Sequence, residues 1–386
     1  MGEGESEICI GGDKNVITSS ILYSVIYFVI VLGILVFIHE LGHFIVAKKL
    51  GVGVLTFSLG FGPKLIGRKV GETQYQISVF PLGGFVKMVG ENREEEVKEE
   101  DRARSFQFQP IWKRALIIFA GPFFNFFLAL VFVCFSFLVF GLPEQPLPLP
   151  SKIGGLSPGL PADRAGLRQG DVIVSIDGTS VSTWENISSI IRKSEGKELT
   201  LRVRRNEEIL EFKILPEISK ETPAPEEKTA YVIGIMAPYE EMTFRYKRVG
   251  VAEALSEGVT QTWLWTKLTV VVLAKIVTGE ISSKMIGGPI EVARQAGKQG
   301  QKGLPYLLTL IALLGVNLGL INLFPIPILD GGHLLFIVIE AVMGKPISLK
   351  KMEIAQQIGI IFIILLMLFA FYNDLFRLFS PHGSRF

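Results

Sequence analysis

The stretch HELGH, from His39 to His43, lies inside an apolar run that begins near residue 17. Two histidines four residues apart project from the same face of a helix, so both imidazoles can reach one metal ion. Glu40 lies between them and is placed to take a proton from an attacking water. Ionisable side chains are costly inside a bilayer, and their presence at this depth indicates a functional site. The motif therefore predicts a catalytic metal centre within a membrane-spanning helix.

The composition is that of a multi-span membrane protein. Hydrophobic residues make up 49% of the 386 residues, and the mean hydropathy of +0.42 is too high for a soluble chain of this length. The formal net charge of +2 gives no basic face of the kind that binds nucleic acid. With only Cys9 and Cys134 present, neither a disulfide framework nor a cysteine-ligated zinc site is available. Any metal must be held by histidine and carboxylate.

Four stretches are long and apolar enough to cross a bilayer of about 30 Å, at about 17–47, 111–142, 304–323 and 354–371. Acidic residues precede the first stretch and no small-residue cleavage site follows it, which argues against a cleaved signal peptide. Lysine and arginine are concentrated between the first two spans and between the last two. This distribution predicts that both connections face the cytoplasm, and that both termini and the large central insert face outward.

The insert has the pattern of a compact α+β domain. Alternating segments at 171–176, 198–205 and 207–214 predict strands, and a helical pattern runs from about 184 to 193. This order, with GLPADRAGLRQGD ahead of the first clear strand, resembles the PDZ modules of bacterial membrane proteases. The resemblance implies that an extended peptide binds beside a glycine-containing loop. The residues that it assigns to peptide binding are Gly159, Leu160, Pro161 and Ala162. A β-rich spacer without a ligand remains the alternative.

These patterns divide the chain into eight segments. They are an N-terminal tail (1–16), a first membrane half with the motif, a cytoplasmic-side hairpin and the second span (17–142), a proline-rich linker (143–150), the PDZ-like domain (151–216), a linker and strand (217–243), an interfacial amphipathic region (244–303), a second membrane half (304–376) and a C-terminal tail (377–386). The expected fold is a polytopic α-helical membrane protein with four transmembrane helices, a membrane-associated β-hairpin and an α+β PDZ-like extramembrane domain.

A catalytic zinc takes three protein ligands, so the HELGH motif needs a third partner. The best candidate lies in the later stretch NLFPIPILDGGH. Asn322, Pro325 and Pro327 interrupt apolar sequence there, and irregular backbone at membrane depth is tolerated only where it is buried or lines a cavity. Asp330 would cost roughly 2.5 to 3.5 kcal/mol at the centre of an inserting helix, a penalty that metal ligation offsets. His333 as third ligand, and a plain turn between helices, remain alternatives.

The segment 244–277 mixes lysines and tryptophans with apolar residues at helical spacing. It is either a fifth span or a helix in the membrane interface. If it crossed the bilayer, Asp330 would emerge on the opposite side from His39. If it lies on the outer face, the next span delivers Asp330 to the depth of the histidines. Joint ligation therefore favours four spans and an interfacial helix.

HExxH in the first span, together with the downstream NxxPxPxLDG pattern, resembles the site-2 protease family of intramembrane zinc metalloproteases. GPFFN at 121–125 and the outer PDZ-like insertion are similar to the bacterial regulator-of-sigma-E protease (RseP) group. The resemblance covers the chain from about 20 to 375. This chain has one PDZ-like domain where some members of the family have two.

The resemblance assigns roles to individual residues. It implies one zinc ion per chain with three ligands, His39, His43 and Asp330. Glu40 would be the catalytic base, and Asn322 would help to position the substrate backbone. Two prolines of the same stretch are further candidate substrate-positioning residues, Pro325 and Pro327.

A transmembrane helix hides its backbone, so a substrate must unwind locally before it is cut. The loop from 51 to 87 alternates like a sheet and has glycines that permit close backbone approach, among them Gly83 and Gly84. We predict that the substrate adds to this hairpin as an extended strand, positioned by these two glycines. A hairpin that only packs on the spans is the alternative.

The sequence thus predicts an intramembrane zinc metalloendopeptidase of the bacterial cytoplasmic membrane, with its active site toward the cytoplasm. Its expected partners are the lipid bilayer and single-span membrane proteins, and no nucleic acid. The family resemblance implies anti-sigma factors or leftover signal peptides as substrates. Two alternatives are a non-catalytic zinc-containing scaffold and a metal transporter, since membrane-buried histidine and aspartate also mark ion pathways. No pattern in the sequence indicates an oligomeric state.

Overall fold

The computed structural model describes the backbone of residues 11–92, 96–218, 231–238, 244–281 and 287–379. Side chains are described in these ranges except at 11–20, 81–82, 145–146 and 378–379. Most of the two predicted tails and of the predicted linker at 217–243 lies outside the described residues. The chain divides into a membrane unit, Met1–Phe140 with Val249–Leu378, and an insert unit, Gly141–Arg248 with Phe379–Phe386.

Helices and strands follow one another in a mixed order. The helices are α1 (Gly11–Lys49), α2 (Ile111–Phe140), α3 (Pro161–Arg164), α4 (Trp184–Lys193), α5 (Val251–Val277), α6 (Pro289–Lys302), α7 (Leu304–Asn322), α8 (Asp330–Met343) and α9 (Leu349–Phe379). The strands are β1 (Val54–Val70), β2 (Thr73–Met88), β3 (Leu142–Pro146), β4 (Gly155–Leu156), β5 (Val172–Ile176), β6 (Thr179–Ser180), β7 (Leu199–Arg205), β8 (Glu208–Ile214), β9 (Glu217–Ile218), β10 (Tyr231–Val232), β11 (Ile235–Met236) and β12 (Phe244–Lys247).

Four of the described helices are long and apolar enough to cross a membrane. The stretches that qualify are Ile21–Lys49, Ile111–Phe140, Leu304–Asn322 and Leu349–Arg377. Each coincides with a predicted span, which confirms the prediction of a polytopic membrane protein with four transmembrane helices. Large apolar side chains such as Phe127 and Leu365 stay exposed along these helices, as side chains that face lipid do.

Glycines let α1, α2 and α7 approach one another closely. A Cβ atom on Gly42 of α1 would lie 2.4 Å from the carbonyl oxygen of Ala120. A Cβ atom on Gly319 of α7 would lie 3.1 Å from the carbonyl oxygen of Pro122. Small residues at such contacts are the usual means of packing helices in lipid, where no hydrophobic effect drives them together. These three helices form the packed core of the membrane unit, with Leu35 buried in it.

The hairpin β1–β2 consists of two long strands that bend back on themselves. The strands pair antiparallel, and residues 56–59 of β1 have partners on both sides, at 84–87 and at 74–77. Residues 74–77 therefore lie inside the sheet, whereas 84–88 has a strand partner on one side only among the described residues. Buried Phe57 and Val86 pack in one cluster with residues at the end of α1. The predicted membrane-associated hairpin is confirmed.

Glu72 in the turn of this hairpin binds two cations from other segments. Its carboxylate accepts a hydrogen bond from Lys48 Nζ at 3.2 Å and pairs with Arg104 Nη2 at 2.5 Å. Partial burial raises the pKa of the Glu72 carboxyl, but the hydrogen bonds from Lys48 and Arg104 lower it more, so this pKa lies below its usual value. The turn is thereby tied to the end of α1.

Helix α5 packs on α2 and α7. Gly258 leaves room for Cys134 of α2, because a Cβ atom at this position would lie 2.4 Å from the Cys134 sulfur. Thr269 donates a hydrogen bond to Asn317 Oδ1 of α7 at 2.8 Å. Helix α5 is not one of the four helices that qualify as spans among the described residues. Its location in the membrane interface stays a prediction.

The insert unit is an α+β domain around a four-stranded sheet with the order β6-β5-β7-β8. The buried side chains of α4, Ile187 and Ile191, belong to the same core as the sheet. Helix α4 begins after Thr183, whose hydroxyl accepts a hydrogen bond from the backbone of Asn186 and caps the helix. The unit also includes residues 231–238, beyond the predicted boundary at 216, because β11 pairs with β4. The predicted α+β fold of the insert is confirmed.

The strands that enter and leave the insert run side by side. β3 pairs antiparallel with β12, and the Cα partners include Tyr246 with Pro143 and Phe244 with Pro146. The chain thus returns to within one strand spacing of the point at which it leaves α2. The two-stranded ladder of β3 and β12, at the two ends of the insert, is called the stalk below.

Candidate metal centre and active site

Asp330 opens α8 after a short loop that contains two prolines. Leu329 donates to the carbonyl of Ile326 at 2.8 Å, and this turn directs the chain into the helix. The next two residues must be glycine for the helix to start here. A Cβ atom on Gly331 would lie 2.3 Å from the carbonyl oxygen of Leu323, and one on Gly332 would lie 2.2 Å from that of Ile326. The LDGG sequence therefore packs the first turn of α8 directly against its own loop.

Three side chains converge where α8 begins. His39 Nε2 lies 3.1 Å from Asp330 Oδ2, His43 Nε2 lies 3.5 Å from Asp330 Oδ1, and the two Nε2 atoms are 3.2 Å apart. All the donor atoms lie within 4.8 Å of one another. A tetrahedral zinc site with bonds of about 2.0–2.1 Å separates its ligand atoms by about 3.3 Å. The spacing of the three side chains matches that value.

The atoms around the cluster also fit a metal. His43 Nδ1 donates to the carbonyl of Ile117 at 2.8 Å, which leaves its Nε2 lone pair directed at the cluster. Asp330 Oδ2 is buried and has no hydrogen-bond donor among the described residues. Buried carboxylate oxygens normally have a partner, and a cation among the three donors would supply it. Two imidazoles and a carboxylate are donors that zinc prefers.

Glu40 lies beside the three donors and lines the same cavity, which has a volume of about 1060 Å³. Gly84 of β2 lies against it, because a Cβ atom on Gly84 would be 3.0 Å from Cγ of Glu40 and 2.8 Å from the carbonyl oxygen of Ser58. Only a glycine lets the strand pass this close to the carboxylate. Gly83 also lines the cavity and has a positive φ of 123°, which glycine adopts without strain.

The one-sided strand 84–88 faces this cavity. Its residues line the cavity together with Gly83 and with the first residue of α8, Asp330. Within this strand, the Met88 N–H donates to Glu91 Oε2 at 2.9 Å, whereas 84–86 has no second strand partner among the described residues. The segment 74–77 of the same hairpin is enclosed by strands on both sides and offers no free edge. The edge beside the candidate site is the second half of β2.

The other residues singled out by the sequence are distributed around the same place. Asn322 lines the cavity, with its amide nitrogen 3.5 Å from both ring nitrogens of His39. Pro325 and Pro327 are not among the described residues that line it; they shape the loop before Asp330, and Pro327 lies against Gly359 of α9. His333 lines the cavity one turn after Asp330 but does not join the donor cluster, and its ring packs edge-on against Phe336.

The insert unit has a separate groove of about 560 Å³ between α4 and residues 231–235. Gly159 and Leu160 line it, but Pro161 and Ala162 are not among its lining residues. Both are buried, because they form the first turn of α3 and Ala162 donates its backbone N–H to the carbonyl of Ile233. The loop around Gly159 forms only part of the groove, and the strand wall at 231–235 was not predicted. The available signal was a short apolar run with β-branched residues, YVIGI.

Comparison with known proteins identifies the family of the chain. The model of peptidase family M50 matches residues 27–366. The chain belongs to peptidase family M50. It is 33% identical over 433 residues to the regulator of sigma-W protease RasP of Bacillus subtilis, covering 92% of this chain and 99% of that protein. It is 33% identical over 452 residues to the regulator of sigma-E protease RseP of Salmonella typhimurium, covering 93% and 100%.

A further M50 relative is the zinc metalloprotease RasP of Geobacillus kaustophilus, which is 32% identical over 433 residues, covering 93% of this chain and 99% of that protein. Among solved structures, the PDZ domain of an SdrC-like protein from Listeria monocytogenes aligns with 24% of this chain and 93% of that chain, at 19% identity and a TM-score of 0.19. This M50 peptidase is an intramembrane zinc metalloprotease that acts on membrane proteins in the lipid bilayer. No observation favours the scaffold or transporter alternatives.

Proposed function

We propose that His39, His43 and Asp330 hold the zinc ion of this peptidase and that Glu40 is its general base. The observation that carries this proposal is the spacing of the three donors, 3.1 to 3.5 Å, beside a glutamate that lines the same cavity. When bound, zinc supplies Lewis acidity toward the scissile carbonyl and the attacking water. The residues around it then hold the metal, deprotonate the attacking water and position the substrate.

Glu40 takes the proton from the attacking water and later gives it to the leaving amine. Its position one residue after His39 on α1 keeps the carboxylate beside the donor cluster, since the helix fixes both side chains on adjacent faces. The close approach of Gly84 limits the space available to the carboxylate. A confined base that already faces the reacting carbonyl avoids part of the entropy cost of the transition state.

The substrate binds as an extended strand along β2 from Gly84 to Val86, where the sheet has an edge beside Glu40. Main-chain hydrogen bonds of this kind form with any sequence once the substrate helix is unwound. The choice of substrate must therefore depend on other parts of the protein. Gly83 and Gly84 allow the backbone of the peptide to approach the site. Asn322 contributes an amide beside His39 that can bond to the peptide backbone, and Pro325 and Pro327 hold the loop that presents it.

The substrates are single-span membrane proteins, cut in or near the transmembrane segment. Two relatives are named as regulators of sigma-W and sigma-E, which supports membrane-bound anti-sigma factors as the substrate class for this chain, with remnant signal peptides as a second group. The peptidase lies in the bacterial cytoplasmic membrane. Its lysine- and arginine-rich connections face the cytoplasm with the active site, and both termini and the insert face outward.

The insert unit acts as a size filter. A folded domain on a short stalk excludes membrane proteins that still have large outer domains, while trimmed ones pass. This role does not require a tight ligand in the groove beside α4. It makes cleavage depend on an earlier cut by another protease.

The decisive test pairs zinc analysis with cleavage of a model single-span substrate by the full-length protein in detergent. Wild type is expected to contain one zinc per chain and to cleave, and Glu40→Gln is expected to keep zinc and to lose cleavage. Glu99→Gln, the same acid-to-amide change at an exposed side chain outside the site, is the control for handling in detergent. Unchanged cleavage by Glu40→Gln would overturn the assignment of the base.

A further inference from the structure

A histidine that binds a metal through one ring nitrogen presents the N–H of its other nitrogen to an acceptor, which fixes the tautomer and the orientation of the ring. In His43, such an acceptor is present. Its Nδ1 lies 2.8 Å from the carbonyl oxygen of Ile117, while its Nε2 faces the other donors. A backbone carbonyl of α2 therefore orients the second histidine of the motif.

His39 has the same need at its own Nδ1, because its Nε2 is the nitrogen that faces Asp330 and His43. Two amides lie near Nδ1. The Asn125 amide nitrogen is 3.1 Å away, and the Asn322 amide nitrogen is 3.5 Å from Nδ1 and equally 3.5 Å from Nε2. Because the Asn322 nitrogen is equally far from both ring nitrogens, it lies beside the ring and is not directed at the lone pair of either one. Asn125 is the group that Nδ1 faces.

Asn125 is fully buried in α2, and its side-chain oxygen has no hydrogen-bond partner among the described residues. If the Asn125 amide nitrogen faced His39, Nδ1 of His39 would have to accept a hydrogen bond from it. The proton of the neutral ring would then be on Nε2, the nitrogen that is to bind the metal. A half-turn of the terminal amide torsion exchanges the two ends at nearly constant position. The same half-turn gives the unpartnered oxygen a donor and frees Nε2 for the metal.

We propose that Asn125 is a positioning residue of the metal centre, whose side-chain oxygen accepts the Nδ1–H of His39 and so fixes Nε2 as the ligand. The proposal rests on the proposed role of His39 as a zinc ligand. It assigns a function to the GPFFN segment of α2 that close helix packing alone does not require. A packing role would be met equally well by a small apolar residue.

The arrangement of α2 supports this assignment. Ile117, Gly121 and Asn125 are spaced four residues apart and lie on one stripe of the helix. Ile117 supplies the acceptor for His43, and Asn125 lies at His39. Between them, Gly121 leaves the space in which both rings stand, since a Cβ atom there would lie 2.2 Å from His43 Nε2. One stripe of α2 thus contacts the Nδ1 atoms of both histidines, the ring nitrogens that do not face the metal position.

The test is the zinc dissociation constant of the full-length, detergent-solubilised protein, measured by competition with a chelator. Asn125→Leu and Asn125→Ala both remove the acceptor but differ in size. A packing defect would change the zinc affinity of the two variants by different amounts, whereas loss of the acceptor would weaken both to the same extent. Both are expected to weaken zinc binding by about 10- to 100-fold, the usual effect of losing such a partner. Asn125→Asp keeps an acceptor oxygen and is expected to stay within about threefold of wild type, as carboxylate–histidine–zinc arrangements do.

Two controls separate this proposal from the assignment of the zinc ligands. Asn317→Leu removes another amide from the membrane helices, one that bonds to Thr269 and not to the site, and is expected to bind zinc as wild type does. His39→Ala is expected to lose zinc binding. Thermal unfolding of each metal-free variant shows whether it is folded.

Wild-type zinc affinity in both Asn125→Leu and Asn125→Ala, with affinity lost in His39→Ala, would overturn the role of Asn125 and leave the metal site intact. An Asn125→Asp protein that is folded but as weak as the other two would also overturn it, because an acceptor would then be insufficient. Wild-type affinity in His39→Ala would remove the proposed ligand set itself. Weak binding in the two acceptor-free variants, with near-normal binding in Asn125→Asp, supports the proposal.

Discussion

A Cβ atom built on Gly121 would lie 2.2 Å from Nε2 of His43. The backbone of α2 therefore passes directly over the donor atoms of the candidate zinc site, with no side chain between them. The same Cβ atom would lie 2.9 Å from Cε1 of His39, so both rings of the motif share this space. Gly121 keeps the metal position open.

Gly121→Ala is expected to weaken zinc binding by at least about tenfold, because the added methyl group displaces the ring that holds the metal. In an ordinary helix interior the same change is stabilising by roughly 0.5–1 kcal/mol. Gly33→Ala is the matched control, since a Cβ atom at Gly33 of α1 has nothing within 4 Å. Chelator competition on both variants checks the expectation. Equal affinity in the two proteins would contradict it.

Asp330→Ala and His333→Ala distinguish the two candidates for the third zinc ligand. Asp330→Ala is expected to lose the metal, because it removes the carboxylate that lies 3.1 Å from His39 Nε2. His333→Ala is expected to keep one zinc per chain, because this ring does not belong to the donor cluster. Elemental analysis of the two purified proteins gives the answer. Zinc loss in His333→Ala alone would reverse the assignment.

Gly84→Ala is expected to lower kcat/KM by about 10- to 100-fold with zinc content unchanged, because the methyl group pushes the substrate-binding strand away from Glu40 by a fraction of an ångström or more. The crowding is visible in the 2.9 Å distance from this Cβ position to Cγ1 of Val36. Cleavage of a single-span substrate and zinc analysis are measured together, with Gly33→Ala as the control. A loss of zinc would show that the residue supports the metal site instead.

Arg114 and Glu340 form a buried ion pair that joins α2 to α8, with nitrogen–oxygen distances of 2.5 and 3.1 Å and side chains 5% and 14% exposed. Arg114→Met removes the guanidinium that pairs with this buried carboxylate and is expected to cost about 3–5 kcal/mol of stability. Adding Glu340→Leu should restore most of this. Unfolding in detergent is the measurement.

The matched control for the ion pair is Glu99→Gln. The partner of Glu99 is Arg102, and both side chains are largely exposed, at 86% and 57%. Exposed pairs contribute at most about 1 kcal/mol, so this variant is expected to unfold almost as wild type does. A double variant of the buried pair that is no more stable than Arg114→Met would mean that the loss comes from packing.

Removal of residues 151–238, with the ends joined by a short flexible linker, is expected to permit cleavage of substrates that keep a large outer domain. The pairing of Phe244 with Pro146 brings the two ends together, so the stalk survives the deletion. Cleavage of trimmed substrates should not change. Ser188→Trp, which fills the groove beside α4, is expected to leave the substrate range of the full chain unaltered. Relaxed selection in Ser188→Trp would favour a ligand-binding groove over a size filter.

Much of the membrane unit follows from local patterns. The spans are continuous apolar runs, and the spacing of His39 and His43 places them on one helix face whatever the surroundings. The approach of Asp330 is also accessible to sequence reasoning, because a carboxylate among prolines and glycines at membrane depth needs a partner. These inferences use only near neighbours along the chain and the cost of charge in lipid.

Contacts set by tertiary register are not accessible in this way. The position of Asn125 opposite His39 depends on how α2 slides along α1, which no local pattern encodes. The edge of the hairpin depends on where β1 and β2 bend, so that 74–77 lies between two strands whereas 84–88 pairs with one strand only. The groove of the insert unit needs residues 231–235, whose place depends on the pairing of β10 with β9 and of β11 with β4.

The stripe of Ile117, Gly121 and Asn125 makes the rotational phase of α2 part of the metal centre. One residue inserted into α2 before Ile117 would turn the stripe by about 100° about the helix axis and shift it by about 1.5 Å. The carbonyl of Ile117, the space at Gly121 and the amide of Asn125 would then all move away from the two histidines. Insertions and deletions that change the register of this stripe on α1 are therefore expected to be far more harmful than substitutions on the lipid-facing side of α2.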